Sequence, residues 1–553
     1  MATARTTNKA LSNASSGSDL VNYFSGCGTY RNRDQSAVDA DMTKIFDQDP
    51  DRALRLLFGV RLITRTPEGM DVVQSGMGSR DEFNKGIIWL HHNNPELLYK
   101  NLHLIPVFGC WKDLLQPPLL NTLDQSKILE VIKKGIDDQD QLLMKFLPQN
   151  RKGSKIRKDK NSKIGLKSRD QIRSDFAEKI RVYMGWSPKE YRKQKASGGA
   201  HLWQKQMSAQ EWDKIDFNQI PGMAMLRHNT RTGKDGNNVF ARHGLEDKLL
   251  EWTLSKETIN FVGYPYEITK AVMAMSPSKE NFVKLAVCEK QFAKLLELAG
   301  NHSLGNLLPV IDTSGSMSSQ ALPGVSALDI AVSLAMVFAS MNTGYFKNQV
   351  MRFDSDCKMV QLTGTFRERI QKIYSSGGMG STNFQSTIDL LVNMRKLMPN
   401  IPVEEYPSSL LIISDMQLDP SNGRPDFNSY RYADKPRNLE AEKTNWQAAK
   451  EKLDSVGLGH VKVIWWRVVA PGGGTCSVTE FPVTVDDSGT IIVSGFNPSI
   501  INSMLGIAVP APKAQEKMEN GVTEVVAEVS KEATSASALD NFLSQPIFEK
   551  LVN

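Results

Sequence analysis

The chain has 553 residues, more than one hydrophobic core usually organises, so at least two domains are expected. Hydrophobic residues make up 40% and charged residues 23%, the balance of a folded globular protein, which excludes an intrinsically disordered chain. The net charge of +6 is a mild excess that matters only where basic residues gather.

The first residues are rich in Ser, Thr and Ala, carry Arg5 and Lys9 and lack acids. A transit peptide has that bias too, but no apolar face accompanies it here, so residues 1–18 are expected to form a disordered tail. From residue 19 to 300 the pattern is helical. Ser36 to Phe46, Asp51 to Leu62, Ser79 to His92 and Asp124 to Leu147 repeat apolar residues at spacings of three and four. Such helices cannot bury their faces alone, which predicts an α-helical solenoid, ring-like module or irregular bundle, interrupted by a basic insert over 151–173. No internal period is visible.

After Asn306 short apolar runs alternate with amphipathic helices, the pattern of a parallel sheet covered on both faces. Expected strands are Leu307 to Ile311, Gln349 to Phe353, Ser409 to Ser414, Val461 to Val469 and Thr490 to Val493. Helices are expected near Ala327 to Met341, Phe366 to Tyr374, Phe384 to Met394 and Asn438 to Val456. The fold class is therefore α plus α/β, with a helical module followed by a doubly wound, Rossmann-like domain over 301–507. Residues 508–538 read as a linker and 539–553 as a docking helix, Leu539 to Val552. The longest apolar run, Ile330 to Met341, is too short to span a bilayer, so no membrane association is expected.

In open α/β sheets ligands bind beyond the carboxyl ends of the strands. The first expected strand runs into Asp312-Thr313-Ser314-Gly315-Ser316-Met317, a Gly-rich loop carries Ser381-Thr382-Asn383, and a later strand ends in Ser414-Asp415-Met416. A small hard cation takes oxygen ligands from hydroxyls and carboxylates, so these loops suit one divalent ion, Mg²⁺, with Mn²⁺ or Ca²⁺ as alternatives. Ser314 and Ser316 can face the same way across Gly315, and Thr382 and Asp415 add a hydroxyl and a carboxylate. Asp312 either binds directly or fixes waters. The competing explanation is that Asp312 caps the next helix and the serines decorate a turn.

The runs DTSGSM, GSTNF and ISDMQLD resemble the metal-ion-dependent adhesion site (MIDAS) of von Willebrand A domains. They are closer still to the version in the Ro autoantigen family, RNA-binding proteins that join a TROVE module to a von Willebrand A (vWA) domain. Val493 to Pro498 resembles that group's late Gly-Phe strand end. Asp49 to Arg61, Ile105 to Leu114, Tyr191 to Lys193, Gln206 to Ser208, Trp212 to Ile215 and Ile220 to Ala224 are similar to the TROVE-like module of an uncharacterised branch. The resemblance implies that Asp312, Ser314, Ser316, Thr382 and Asp415 are metal ligands, and that RNA is bound. The basic insert departs from it, and no individual RNA contacts align.

Between Arg151 and Arg173 ten Lys or Arg residues face two Asp. The run is either a solvated loop or a phosphate-binding arm; on the second reading Lys155, Arg157, Lys158, Lys160, Lys163, Lys167, Arg192 and Lys193 are the RNA-binding candidates. Tyr183, Trp186, Tyr191, Trp203 and Trp212 lie nearby and suit either base stacking or core packing. The chain lacks a GxxxxGK[ST] loop, an HExxH motif and a GxSxG elbow, and none of its eight histidines pairs with Cys or an acid, so no enzyme is expected. The five cysteines form no CxxC pair, which fits a reducing, cytoplasmic setting. The expected function is a non-catalytic, metal-dependent RNA-binding scaffold, a ribonucleoprotein component acting as a monomer. The alternative is a protein-interaction adaptor whose metal captures an acidic side chain of a partner.

Overall fold

A computed structural model of the protein describes residues 3–150, 168–198, 202–276, 281–299, 306–375, 380–422, 443–471, 480–506, 509–510 and 533–553. The chain forms two compact units that interleave along the sequence: Met1–Arg31, Thr64–Met77 and Gly222–Gln545 in one, Asn32–Ile63, Gly78–Pro221 and Pro546–Asn553 in the other. The expected boundary near residue 300 thus falls inside the first unit, because the helices from Gly222–Thr230 to Phe282–Leu298 pack there.

The first unit opens with a small hairpin, β1 (Thr3–Arg5) and β2 (Leu11–Asn13). Its main sheet consists of β3 (Leu307–Asp312), β4 (Gln349–Phe353), β5 (Cys357–Gln361), β6 (Ser409–Ser414), β7 (Lys462–Arg467) and β8 (Thr490–Ser494). The spatial order is β8-β7-β6-β3-β4-β5. All neighbours are parallel except β5, which returns antiparallel along β4. β3, β6 and β8 are buried at every residue, as expected for Val, Ile and Leu runs covered on both faces. The apolar helix Ala327–Met341 starts at a capping box between Ser326 and Asp329 and packs on β3. Gln385–Leu397 and Asn445–Asp454 supply further cover; residues 438–442 of the expected helix lie outside the described residues.

The expected disordered tail is corrected. Thr6 Oγ1 donates to Leu418 O at 2.8 Å, Ser12 Oγ donates to Phe481 O at 2.7 Å, and Asn13 N donates to the same carbonyl at 3.0 Å. Polar side chains there replace the apolar contacts that usually order a segment. The last part of the chain also differs. An α-helix over Ser535–Leu543 ends at Ser544, and a 3₁₀ turn follows over Pro546–Lys550, so the expected continuous helix is two pieces assigned to different units. Ala533 and Ser535 are buried, so the expected linker ends earlier than 538; its residues 511–532 lie outside the described ones.

The second unit is helical. Gln35–Gln48, Pro50–Arg61 and Arg80–Asn93 pack on one another around Phe58, whose ring meets Phe83 and Phe108 edge-on at 5.5 and 5.0 Å. The expected helix Asp124 to Leu147 is broken into Gln125–Asp137 and Gln141–Phe146, because Gln139 turns left-handed (φ 57°) and Asp140 caps the second piece. Arg169–Tyr183 and Pro188–Ser197 follow, each capped by a serine.

A buried ion cluster ties this unit together. Asp113 is fully buried and accepts from Arg61 Nε at 2.8 Å, from Cys110 N at 3.0 Å and from Arg80 Nε. Arg61 is itself buried, so losing the carboxylate strands a guanidinium away from water. Asp113→Ala is expected to destabilise this unit by about 3–5 kcal/mol in urea unfolding; a loss below about 1 kcal/mol, the value of an exposed pair, would contradict the reading.

Candidate metal centre

The site is built at the carboxyl ends of the two central strands. β3 and β6 run parallel in register from Leu307 opposite Ser409 to Ile311 opposite Ile413, so Asp312 and the Ser414-Asp415 turn emerge side by side. Asp312 uses both oxygens inside the protein: Oδ1 accepts from Ser314 N at 2.9 Å and Oδ2 from Ser414 Oγ at 2.6 Å. This arrangement favours the indirect role for Asp312, since its carboxylate is already held by the loop it supports. Ser314 Oγ and Ser316 Oγ lie 3.1 Å apart, and Ser316 is near enough to the Asp415 carboxyl to favour its ionised form.

Asp415 accepts from Gln417 N at 3.1 Å through Oδ1, whereas its buried Oδ2 meets no partner. Just after it, Met416 takes a left-handed conformation (φ 68°), and its N–H returns to Ser414 Oγ at 2.9 Å. That backbone conformation is uncommon for a non-glycine residue and sharply reverses the chain after the strand. Thr382 is joined to these loops through main-chain bonds. Gly315 N donates to Gly380 O at 3.2 Å, and Asp419 N donates to Thr382 O at 2.8 Å. Gly380 must be glycine, because a Cβ there would stand 2.2 Å from Ser355 Oγ and 2.8 Å from Ser355 N. The structure therefore links Asp312, Ser314 and Ser316 by hydrogen bonds, sets Asp415 close enough to act on their charges, and brings Thr382 beside them. Gly377, Gly378 and Met379 of the Gly-rich loop lie outside the described residues.

Two carboxylates buried this closely resist ionising together. Burial, then the neighbouring Asp415, pushes Asp312 up to about 7 against the hydrogen bonds from Ser314 and Ser414. Asp415 is pushed up as well, chiefly by burial. Residues near these carboxylates carry further polar groups that sequence reasoning missed. Arg467, at the end of β7, is buried; Nη2 donates to Glu480 O at 2.8 Å, and Nε and Nη1 meet no acceptor. Burial lowers it to about 10, with Asp415 among the charges opposing that shift. Asn8, from the N-terminal turn, donates to Gln417 O at 2.6 Å and Asp419 Oδ1 at 3.1 Å. An Arg closing the run Val-Ile-Trp-Trp-Arg was the one available signal for a charge at a strand end.

The donor set fits a hard cation. It offers hydroxyls from Ser314, Ser316 and Thr382 and carboxylates from Asp312 and Asp415, with the orphaned Asp415 Oδ2 as the position most in need of a positive partner. Among the described residues no group of three or more His, Cys, Asp or Glu side chains could hold a metal. The set is oxygen-based and hydroxyl-rich, unlike a zinc site.

The expected nucleic-acid residues are less informative. Lys155, Arg157, Lys158, Lys160, Lys163 and Lys167 lie outside the described residues. Arg192 and Lys193 are exposed on the helix Pro188–Ser197. Tyr191 and Trp203 are buried, and Tyr191 Oη donates to Pro148 O at 2.8 Å, so these two rings belong to the core; Tyr183 is exposed. Among the described residues no helix is long and apolar enough to cross a membrane.

Without a cation, folded protein keeps a proton on the Asp312–Asp415 pair that the unfolded chain releases near pH ~4. That pair's contribution to stability therefore falls as pH rises from ~4 through about 7. In EDTA the melting temperature should show this fall, and Mg²⁺ should raise it more at about pH 8 than at about pH 5.5. Asp312→Asn should flatten the EDTA dependence; an equal Mg²⁺ effect at both pH values would contradict the coupling.

Residues 306–542 match a family model described as a domain of unknown function, DUF7788, and residues 6–201 match another, DUF2828. The chain is also similar to uncharacterized protein L728 of Acanthamoeba polyphaga mimivirus, with 22% identity over 488 residues, covering 84% of this chain and 78% of the viral protein. The first family match begins at Asn306, directly before β3, and takes in all the proposed metal ligands.

Proposed function

We propose that the protein is a non-catalytic, metal-dependent binding scaffold whose sheet unit is a von Willebrand A-type domain and whose ligand is RNA. The single observation that carries the metal half is the pair of buried carboxylates at adjacent strand ends, flanked by hydroxyls, with Asp415 Oδ2 left unpartnered. Ser314, Ser316, Thr382 and Asp415 would hold Mg²⁺, with Asp312 behind them. The ion would offer a coordination position to an acidic or phosphate oxygen. The strand order, with one antiparallel edge strand beyond β4, supports the same domain type.

RNA is favoured by the basic run from Arg151 to Arg173 and by the exposed Arg192 and Lys193. The resemblance to Ro-type proteins points the same way. A competing adaptor, in which the metal takes a partner's carboxylate, is favoured by the donor set alone. A third reading, a metal-assisted nuclease, would need a second metal or a general base; turnover of labelled RNA that depends on Asp415 would favour it.

Calorimetric titration of the full chain with MgCl₂ is expected to give one saturable site that Asp415→Ala abolishes. Filter retention of mixed RNAs should fall steeply between ~50 and ~200 mM salt. Magnesium binding that survives the substitution overturns the metal half, and no retention even at low salt overturns the RNA half. Partner capture lost in the variant with RNA affinity unchanged would favour the adaptor.

A further inference from the structure

Within the helical unit, a cavity of about 240 Å³ opens between the end of the Gln141–Phe146 helix and the helices Arg169–Tyr183 and Pro188–Ser197. Three cations line it, Lys145, Arg173 and Lys195, against one acid, Asp170. Its volume is several times the ~30 Å³ that one water occupies in the liquid. Lys195 is held in place by the chain: Nζ donates to Leu147 O and, at 3.3 Å, to Lys145 O. Arg173 carries a buried Nε with no acceptor. This is an unusual lining, because like charges crowded around one space raise the free energy of the unoccupied site.

We propose that this cavity binds a phosphoryl group, in an anion of about diphosphate size. A multiply charged tetrahedral anion suits two ammonium groups and a guanidinium, each of which donates without accepting. The guanidinium of Arg173 offers further N–H donors besides Nε, and the anion offsets the repulsion between Arg173 and Lys195. Lys195 is shifted below the usual lysine range by burial and then by Arg173, and Lys145 is shifted down by burial alone. A single carboxylate would satisfy fewer of these donors. The inference stands apart from the metal reading, since every residue it uses lies in the other unit.

Calorimetry of the full chain in EDTA, with pyrophosphate as titrant, tests it. Pyrophosphate is expected to saturate one site, and Arg173→Gln and Lys195→Gln should each weaken it by at least about tenfold. Far-UV circular dichroism and melting of each variant establish that the fold is kept; Arg173→Lys, which retains charge, should lose less than Arg173→Gln. Competition with 5′-phosphorylated and 5′-hydroxyl oligonucleotides distinguishes the sources. Displacement by the phosphorylated form alone assigns the group to a nucleic-acid end, and displacement by neither assigns it to a free phosphate compound. No saturable binding of pyrophosphate, or binding that folded Arg173→Gln and Lys195→Gln retain unchanged, overturns the proposal. RNA retention that fails while pyrophosphate still binds would remove the RNA reading and leave this one standing.

Discussion

Two carboxylates share a buried corner at the carboxyl ends of β3 and β6, and the surrounding loops are organised by that fact. Taking even one carboxylate out of water is expensive, and a second beside it adds repulsion that hydrogen bonds relieve only in part. Ser314 N and Ser414 Oγ serve Asp312, and Gln417 N serves Asp415, yet Asp415 Oδ2 remains without a partner. A folded chain keeps so costly an arrangement when something positive completes it. A hard cation would do so with the oxygen donors already present.

The scaffold that holds this corner extends beyond the residues that would touch a metal. Asn8 and Thr6 fasten the N-terminal turn to the Gln417–Asp419 stretch, while Asp419 N reaches Thr382 O. The N-terminal hairpin therefore fixes the loop that follows Asp415, even though it stands some four hundred residues away in sequence. On the other side of the strand ends, Arg352 pairs with Asp354 at 2.8 Å and reaches Thr313 Oγ1 at 3.3 Å, securing the loop after β3 from β4. Arg467 adds a buried positive charge close enough to Asp415 for the two to influence each other's ionisation. Loops held this way are preorganised, and a ligand that needs them spends little free energy on ordering them.

Much of the sheet was legible in the sequence because its strands are continuous apolar runs. Gln349–Phe353 and Ser409–Ser414 have the bounds the pattern predicts, and Asp312, Ser314, Ser316 and Asp415 meet as the motif spacing implies. The edge strand Cys357–Gln361 escaped notice because only Cys357 is buried and Lys358 and Gln361 interrupt its apolar residues. The N-terminal segment was misread for a related reason. Its order comes from hydroxyl and amide side chains bonded to distant carbonyls, and composition cannot distinguish these from solvated groups. The break after Asp137 lies in a left-handed Gln139, which sequence periodicity does not register. Burial of Arg467 depends on Glu480 and Phe481 folding over it, contacts between residues whose proximity only the tertiary fold creates.

The proposed function requires one ion among the hydroxyls of Ser314, Ser316 and Thr382 and the carboxyl of Asp415. Crystals of the full chain grown with manganese, measured at the manganese absorption edge, test that most directly. The account predicts a single strong anomalous peak enclosed by those four side chains. Ordered loops with no peak between them, or a peak bound elsewhere on the chain, would contradict it.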